Sequence, residues 1–232
     1  MDFFSGIQEV FTTQKYMLTI AEGLKTSAII TAGALVIGLF LGMLVATIKI
    51  AASRSKAMKV PAAICNLYIV VVRGTPIALQ LFIMAFAVFA IRGFPLVVTA
   101  ILTFGINSGA YVAENIRAGI QSVDIGQMEA GRSLGISYVS SMFRIVLPQA
   151  VKNVIPAIGN EVIALLKETS VVSMIGLVDL TFAAKIVGSG QNMADYLVPM
   201  SVAALFYLVI VYIFSTVIKL VERRFKKSDR NS

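Results

Sequence analysis

Two acidic residues, Glu161 and Glu168, stand seven positions apart in the stretch GNEVIALLKETS (159–170), inside an otherwise apolar region. In a helix that spacing puts both carboxylates on one face, two turns apart, with Leu165 between them. Thr169 and Ser170 follow directly and add two hydroxyls. A second polar row runs through Thr103, Asn107, Tyr111 and Asn115, one residue in every four, with Ser108 beside it. Asn107 and Tyr111 can hydrogen-bond a carboxylate or amide, and the two glutamates can receive an ammonium or guanidinium group. Together the two rows could close around one amino acid. The chemistry is recognition, since neither row pairs a nucleophile with a base. Packing is the competing reading: Asn107 and Ser108 can serve as glue between helices, and Glu168 and Lys167 can pair with groups elsewhere. Arg73, in RGTP, reads either as a snorkelling cation at a span end or as a gate.

The setting of these residues decides how they are read. In 232 residues 58% are apolar, and the mean hydropathy is +0.87. These values indicate an integral membrane protein. An ionised side chain at the bilayer centre costs ~2.5 kcal/mol or more, so such groups normally face a cavity, a partner or an ion path. The chain has no histidine and one cysteine, Cys65, so neither an internal disulfide nor a metal centre is expected. The net charge of +8 is better explained by its position along the chain than by nucleic acid. No basic region precedes an apolar run at the N-terminus, and no signal peptide is expected there.

Five spans account for the apolar segments, at about 26–48, 68–91, 94–113, 151–178 and 196–218 of a single membrane domain covering 1–232. Each reaches the ~20 residues that cross the hydrocarbon core. The second is extended toward Pro61 by a helix starting near the interface. The fourth, interrupted by Pro156, Gly159, Glu161, Lys167 and Glu168, is read as a broken crossing; irregular backbone at membrane depth is tolerated where it lines water or protein. Lysine and arginine placement tests the count. Lys49, Arg54, Lys56 and Lys59 follow the first span. Arg117, Arg132, Arg144 and Lys152 follow the third. Lys219, Arg223, Arg224, Lys226, Lys227 and Arg230 follow the last. Only Lys15, Lys25, Arg92 and Lys185 fall on the other side. The asymmetry predicts an outer N-terminus and a cytoplasmic C-terminus, and therefore an odd number of spans. Before the first span, Phe3, Phe4, Ile7, Val10 and Phe11 recur at helical spacing and predict an amphipathic surface helix. Asp179, Lys185 and Asp195 fall outside, where solvation is the plain expectation and contact with a partner the sharper one.

The loop between the third and fourth spans, about 117–148, is too polar to cross and too patterned for a simple connector. Its EAGRSLGISYVSSMFRIVLP (129–148) predicts two short cytoplasmic helices joined by a turn at Gly135, with Pro148 opening the next helix. Glu129-Ala130-Gly131, three residues, Gly135, nine residues and then Ile145-Val146-Leu147-Pro148 resembles the EAA motif of bacterial ABC-importer permeases. The one departure is Gly131 in place of the second alanine. RGTP at 73–76, NSGAYVAENIRAGI at 107–120 and LLKETSVVSMIG at 165–176 are similar to the polar amino acid branch of that family. The resemblance covers about 16–227.

That resemblance implies an all-α membrane protein of the type I ABC-importer permease fold. It implies a homodimer or heterodimer of permeases, two cytoplasmic ATP-binding subunits, an extracytoplasmic solute-binding protein and an amino acid substrate. Cofactors, ATP and Mg, would reside in the partner ATPase; this chain lacks a G-x-x-x-x-G-K-[ST] sequence and is expected not to be an enzyme. Glu129, Ala130, Gly131, Arg132 and Gly135 would form the coupling helix that docks on the ATPase. Asn107, Ser108, Tyr111, Glu161, Glu168, Thr169 and Ser170 would line the path of the substrate, with a basic amino acid such as arginine, lysine or histidine expected first and glutamine or cystine next. The bacterial plasma membrane is the expected location. An ion-coupled secondary transporter is a weaker reading, since it leaves the motif loop unexplained.

Overall fold

The computed structural model describes residues 3–52, 55–188 and 193–230. Its helices are α1 (Phe3–Thr12), α2 (Gln14–Ala52), α3 (Lys59–Gly74), α4 (Ile77–Ile83), α5 (Leu96–Gln121), α6 (Ile125–Ser133), α7 (Tyr138–Ser141), α8 (Leu147–Glu168), α9 (Leu180–Val187) and α10 (Met193–Arg230). Among the described residues there is no strand. Arg54 lies outside them, and the side chains of Asp195, Lys226, Lys227 and Arg230 are likewise not described. Among the described residues four helices are long and apolar enough to cross a bilayer, and a fifth crossing results if the bent succession from Tyr138 through Val187 counts as one. The chain is an all-α integral membrane protein.

Two of the expected spans differ in detail. The second breaks at Gly74-Thr75-Pro76, leaving α3 before it and the shorter apolar run Ile77–Val88 after it. Proline has no N–H and disfavours helical backbone in the residue before it. Pro76 stands at the N-cap of α4 with φ −63° and an extended ψ of 137°. Gln80 satisfies part of the break, its Nε2 donating to the Thr75 carbonyl at 3.1 Å and hydroxyl at 2.8 Å. The fourth span is interrupted later than its composition suggests. α8 runs unbroken through Pro156, Gly159 and Glu161 to Glu168, and the backbone tightens to a 3₁₀ turn only at Thr169–Ile175. Gly176 at φ 82° then ends the turn, and α9 leaves at 52° to the preceding helix. A proline inside a membrane helix survives where neighbouring groups compensate its lost hydrogen bond.

The chain divides into two compact units. The first comprises the described residues of Met1–Val36, Thr75–Gly105 and Ile163–Ile213. Its larger core gathers Ile30 and Ala34 of α2, Leu81 and Ala85, Ala100 and Phe104 of α5, Leu165 of α8, and Val172 and Ile175 of the 3₁₀ turn. A second core joins Val10 of α1, Ile20 of α2, Leu180 and Ala184 of α9, and Val202 and Ala203 of α10. The amphipathic N-terminal helix is thus packed by its Gly6 and Val10 rather than lying free.

Asp179 corrects the expectation of a solvated outer charge. It is fully buried in this unit and caps α9, accepting from the Thr181 and Phe182 backbone N–H groups at 2.9 Å each. The Tyr207 hydroxyl of α10 donates to it at 3.4 Å. Next to it, the Leu180 N–H donates to Ser27 Oγ of α2 at 3.3 Å.

The second unit comprises the described residues of Ile37–Gly74, Ile106–Val162 and Phe214–Ser232. Val45 of α2, Cys65 and Ile69 of α3, and Ala110 and Ala113 of α5 form its core. Lipid is as apolar as leucine, so close fit rather than hydrophobic burial holds these helices together. Gly38 and Gly42, one turn apart on α2, provide it: an added Cβ would stand 2.7 Å from Ser108 Oγ at the first and would collide with Val112 Cγ1 at the second.

Candidate substrate and coupling sites

α5 and α8 carry the polar residues of the second unit. Asn107 and Ser108 are buried and Tyr111 reaches the surface. Ser108 lies between two helices. Its back rests on Gly38 of α2, and across from it stands Glu161 of α8, half-buried and within electrostatic reach of the serine hydroxyl. The Ser108 Oγ makes no hydrogen bond of ordinary geometry with any described residue despite complete burial. Among the described residues no lysine or arginine is paired with Glu161. A buried hydroxyl beside a carboxylate that no lysine or arginine meets among the described residues is costly in a low-dielectric setting.

Asn107, Ser108, Tyr111 and Glu161 all belong to this one unit, where Ser108 and Glu161 face each other, while Glu168, Thr169 and Ser170 belong to the other. There Thr169 is buried and donates to the Leu166 carbonyl at 2.7 Å. The Ser170 carbonyl accepts from the Ser173 hydroxyl at 2.8 Å. Glu168 is half-buried and engaged, and Lys167 is exposed.

Sequence reasoning overlooked Glu114. Its carboxylate gathers three cations from three helices: Lys49 Nζ of α2 at 3.1 Å, Arg117 of α5 at 2.8 Å and Arg73 of α3 at 3.8 Å. The Arg73 guanidinium also stands over the Tyr111 ring, 5.1 Å from its centre, a cation–π distance. Only the Glu114 to Arg117 spacing of three was a signal in the sequence; the partners from α2 and α3 are remote in the chain.

The motif loop folds as two short helices, as its pattern predicts. Asp124 caps α6, accepting from the Gly126 N–H at 2.7 Å. The helix ends where Gly135 adopts φ 80°, with the Gly135 N–H donating to the Arg132 carbonyl at 3.0 Å and the Ile136 N–H to the Gly131 carbonyl at 3.1 Å. This left-handed closure favours glycine. Ser137 caps α7, accepting from the Ser140 N–H at 3.3 Å, and a π-helical stretch, Met142–Val146, leads into α8. Gly131 is buried against that return: an added Cβ would lie 2.8 Å from Ser141 Oγ and 2.9 Å from Ile145 Cδ1. The glycine that departs from the motif therefore has a steric partner in this chain. Glu129, Ala130, Arg132, Leu134 and Gly135 are exposed, and Leu134 alone exposes 81% of its surface.

A family model described as "Binding-protein-dependent transport system inner membrane component" matches residues 38–227. The arginine transport system permease protein ArtQ of Bacillus subtilis is 40% identical over 212 residues, covering 90% of this chain and 94% of that protein. The putative glutamine transport system permease protein GlnP of Rickettsia felis is 39% identical, covering 90% and 93%. A crystal structure of an amino acid ABC transporter with histidines superimposes with a TM-score of 0.83 at 38% identity, covering 97% of this chain and 99% of that one. With the motif loop formed and the helices arranged as in that transporter, the chain belongs to the family of binding-protein-dependent transport system inner membrane components, the ABC-transporter permeases.

Proposed function

We propose that this chain is the permease subunit of an ATP-driven importer of polar amino acids, with basic amino acids as its preferred class. The observation that carries the substrate reading is Glu161, a half-buried carboxylate with no cationic partner among the described residues, facing Ser108 in the unit that also holds Asn107 and Tyr111. An ammonium or guanidinium would complete it through charge-assisted hydrogen bonds, while the amide and phenol meet the other end of the substrate. The relative named for arginine transport supports this choice. Glutamine is the second reading: Glu161 is the one carboxylate of the proposed pair in that unit, and a relative is named for glutamine.

Glu168, Thr169 and Ser170, in the first unit, are further residues assigned to meet the substrate. Transport proceeds by alternating access, with hydrolysis of ATP, bound with Mg, in cytoplasmic ABC subunits. The exposed face of α6, including Glu129, Ala130 and Arg132, docks on those subunits, with Gly131 and Gly135 shaping the helix pair behind it. A second permease copy or homologue and an extracytoplasmic solute-binding protein complete the assembly in the bacterial plasma membrane, with the N-terminus outside.

Uptake of labelled arginine and glutamine into proteoliposomes holding permease, ATPase, ATP and a binding protein for each ligand tests the assignment. ATP-dependent uptake of either amino acid supports the importer, and arginine is expected to be favoured; uptake indifferent to ATP would overturn it. Orientation is tested separately by cysteine labelling on a Cys65→Ser background. An impermeant reagent applied outside should modify position 8 and spare positions 56 and 224.

A further inference from the structure

Ser108, Tyr111 and Glu114 follow one another every three residues along α5 and form a slanting row within the second unit. Residues at that spacing are neighbours on a helix, with Cβ atoms ~5–6 Å apart. Glu161 meets the row at Ser108. Lys49 and Arg117 meet it at the other end, on Glu114. Between these ends the Arg73 guanidinium stands over the Tyr111 ring, 5.1 Å from its centre. A carboxylate thus faces the start of the row, and a cation faces its middle.

Arg73 is the loosest of the three cations on Glu114. Its Nη1 lies 3.8 Å from that carboxylate, beyond hydrogen-bond distance, whereas Arg117 and Lys49 approach to 2.8 and 3.1 Å. The two closer cations already outnumber the single negative charge, so the charge of Arg73 is surplus. Its side chain is 42% exposed, and Tyr111 beside it is exposed as well. Arg73 also sits at the break between two apolar runs, Lys56–Gly74 and Ile77–Val88. A charge so placed faces a cavity or a polar partner rather than lipid. A snorkelling arginine would stretch toward the headgroups; this one is turned onto α5, three residues from Ser108.

We propose, resting on the substrate reading above, that Arg73 receives the α-carboxylate of the amino acid whose cationic end is held at Glu161. The amide and phenol assigned to that end of the substrate carry no charge, while every free amino acid presents an ionised carboxylate, the group a guanidinium binds most strongly. A guanidinium over a ring still presents N–H donors in its own plane. From Ser108 to that guanidinium is one helix step and one ring contact, on the order of 10 Å in all. The charged ends of an extended arginine or lysine are roughly 7–8 Å apart, about six bonds of ~1.5 Å, which leaves room for a hydrogen bond at each end. Glu114 is then a positioning residue that steadies Arg73 without cancelling its charge.

Equilibrium binding of labelled arginine and agmatine to the purified complex of permease and ATPase subunits tests this without the binding protein, whose own selectivity then does not enter. Agmatine keeps the guanidinium and lacks the carboxylate. The wild type should bind arginine about tenfold or more tightly than agmatine, the scale of one hydrogen bond between charged groups. Arg73→Gln should weaken arginine by about that factor and leave agmatine unweakened, so that the preference disappears. Glu161→Gln should weaken both. Equal binding of the two ligands by the wild type overturns the proposal, as does an Arg73→Gln complex that keeps the wild-type ratio, since a merely structural partner of Glu114 would affect both ligands alike. Should Arg73→Gln fail to fold, Arg73→Lys decides: it keeps the charge but not the fork of donors, and should weaken arginine severalfold more than agmatine, an equal effect overturning the proposal. If the complex binds glutamine and not arginine, the preference for basic side chains fails by itself, and Arg73 is judged by the same loss of preference for glutamine over its decarboxylated form.

Discussion

Ser108 is held between Gly38 and Glu161, with no room behind it and a carboxylate in front. A methyl at position 38 would begin 2.7 Å from the serine oxygen and 2.8 Å from its Cβ, so both helices would have to move apart. Gly38→Ala should therefore destabilise the permease by ~1–3 kcal/mol, the usual cost of overpacking. Ser108→Gly in the same chain should restore most of the loss by vacating the contact. Thermal unfolding of the detergent-solubilised variants measures both. Failure of the second change to compensate the first would show that Gly38 matters through something other than Ser108.

Glu161→Gln keeps the shape and most of the hydrogen-bonding capacity of the side chain and deletes its charge. Arginine uptake should fall roughly tenfold or more, taking ~1.5–3 kcal/mol for a hydrogen bond to a charged group. Glutamine uptake should fall less. An unchanged ratio between the two substrates would remove Glu161 from recognition and leave it a packing residue.

Much of this arrangement is legible in the residue order, and the exceptions share a cause. The EAA spacing and Gly135 announce two short helices and the turn between them, and the structure forms both. The row Thr103, Asn107, Tyr111 does fall on one helix, α5. Pro76 and Pro156 look equivalent in sequence, yet the first ends a helix and the second sits inside one. What separates them is the compensation available in three dimensions, which no local rule encodes. The same holds for Asp179, whose burial depends on Ser27 and Tyr207 of remote helices supporting its surroundings. Lys49 and Glu114, 65 residues apart, carry no periodic signature at all. Patterns along one helix are readable; partners drawn from another are decided by packing.

Asp179 should behave as a structural residue. Asp179→Ala leaves the first N–H groups of α9 buried without an acceptor and removes the acceptor of Tyr207, for a loss of ~1–3 kcal/mol. Asp179→Asn keeps a capping oxygen and should lose less. Both would be compared by thermal unfolding. Equal stability of wild type and Asp179→Ala would mean that the cap contributes nothing.

Two changes in the motif loop should separate folding from coupling. Gly135→Ala places a side chain at φ 80°, which costs ~1–2 kcal/mol in left-handed backbone, and should reduce stability and coupling together. Glu129→Lys reverses an exposed charge and should leave the protein folded and inserted while abolishing the ligand-stimulated ATPase activity of the complex. Wild-type stimulation and uptake in Glu129→Lys would remove that face from the docking surface.

Gly131 brings the α6 backbone against the side-chain tips of Ser141 and Ile145 on the chain that returns to α8. A larger side chain at 131 would hold the two segments apart. Under the proposed docking role, the missing side chain shortens the linkage from the exposed tip at Leu134 to the base of α8, as removing a spacer shortens a lever.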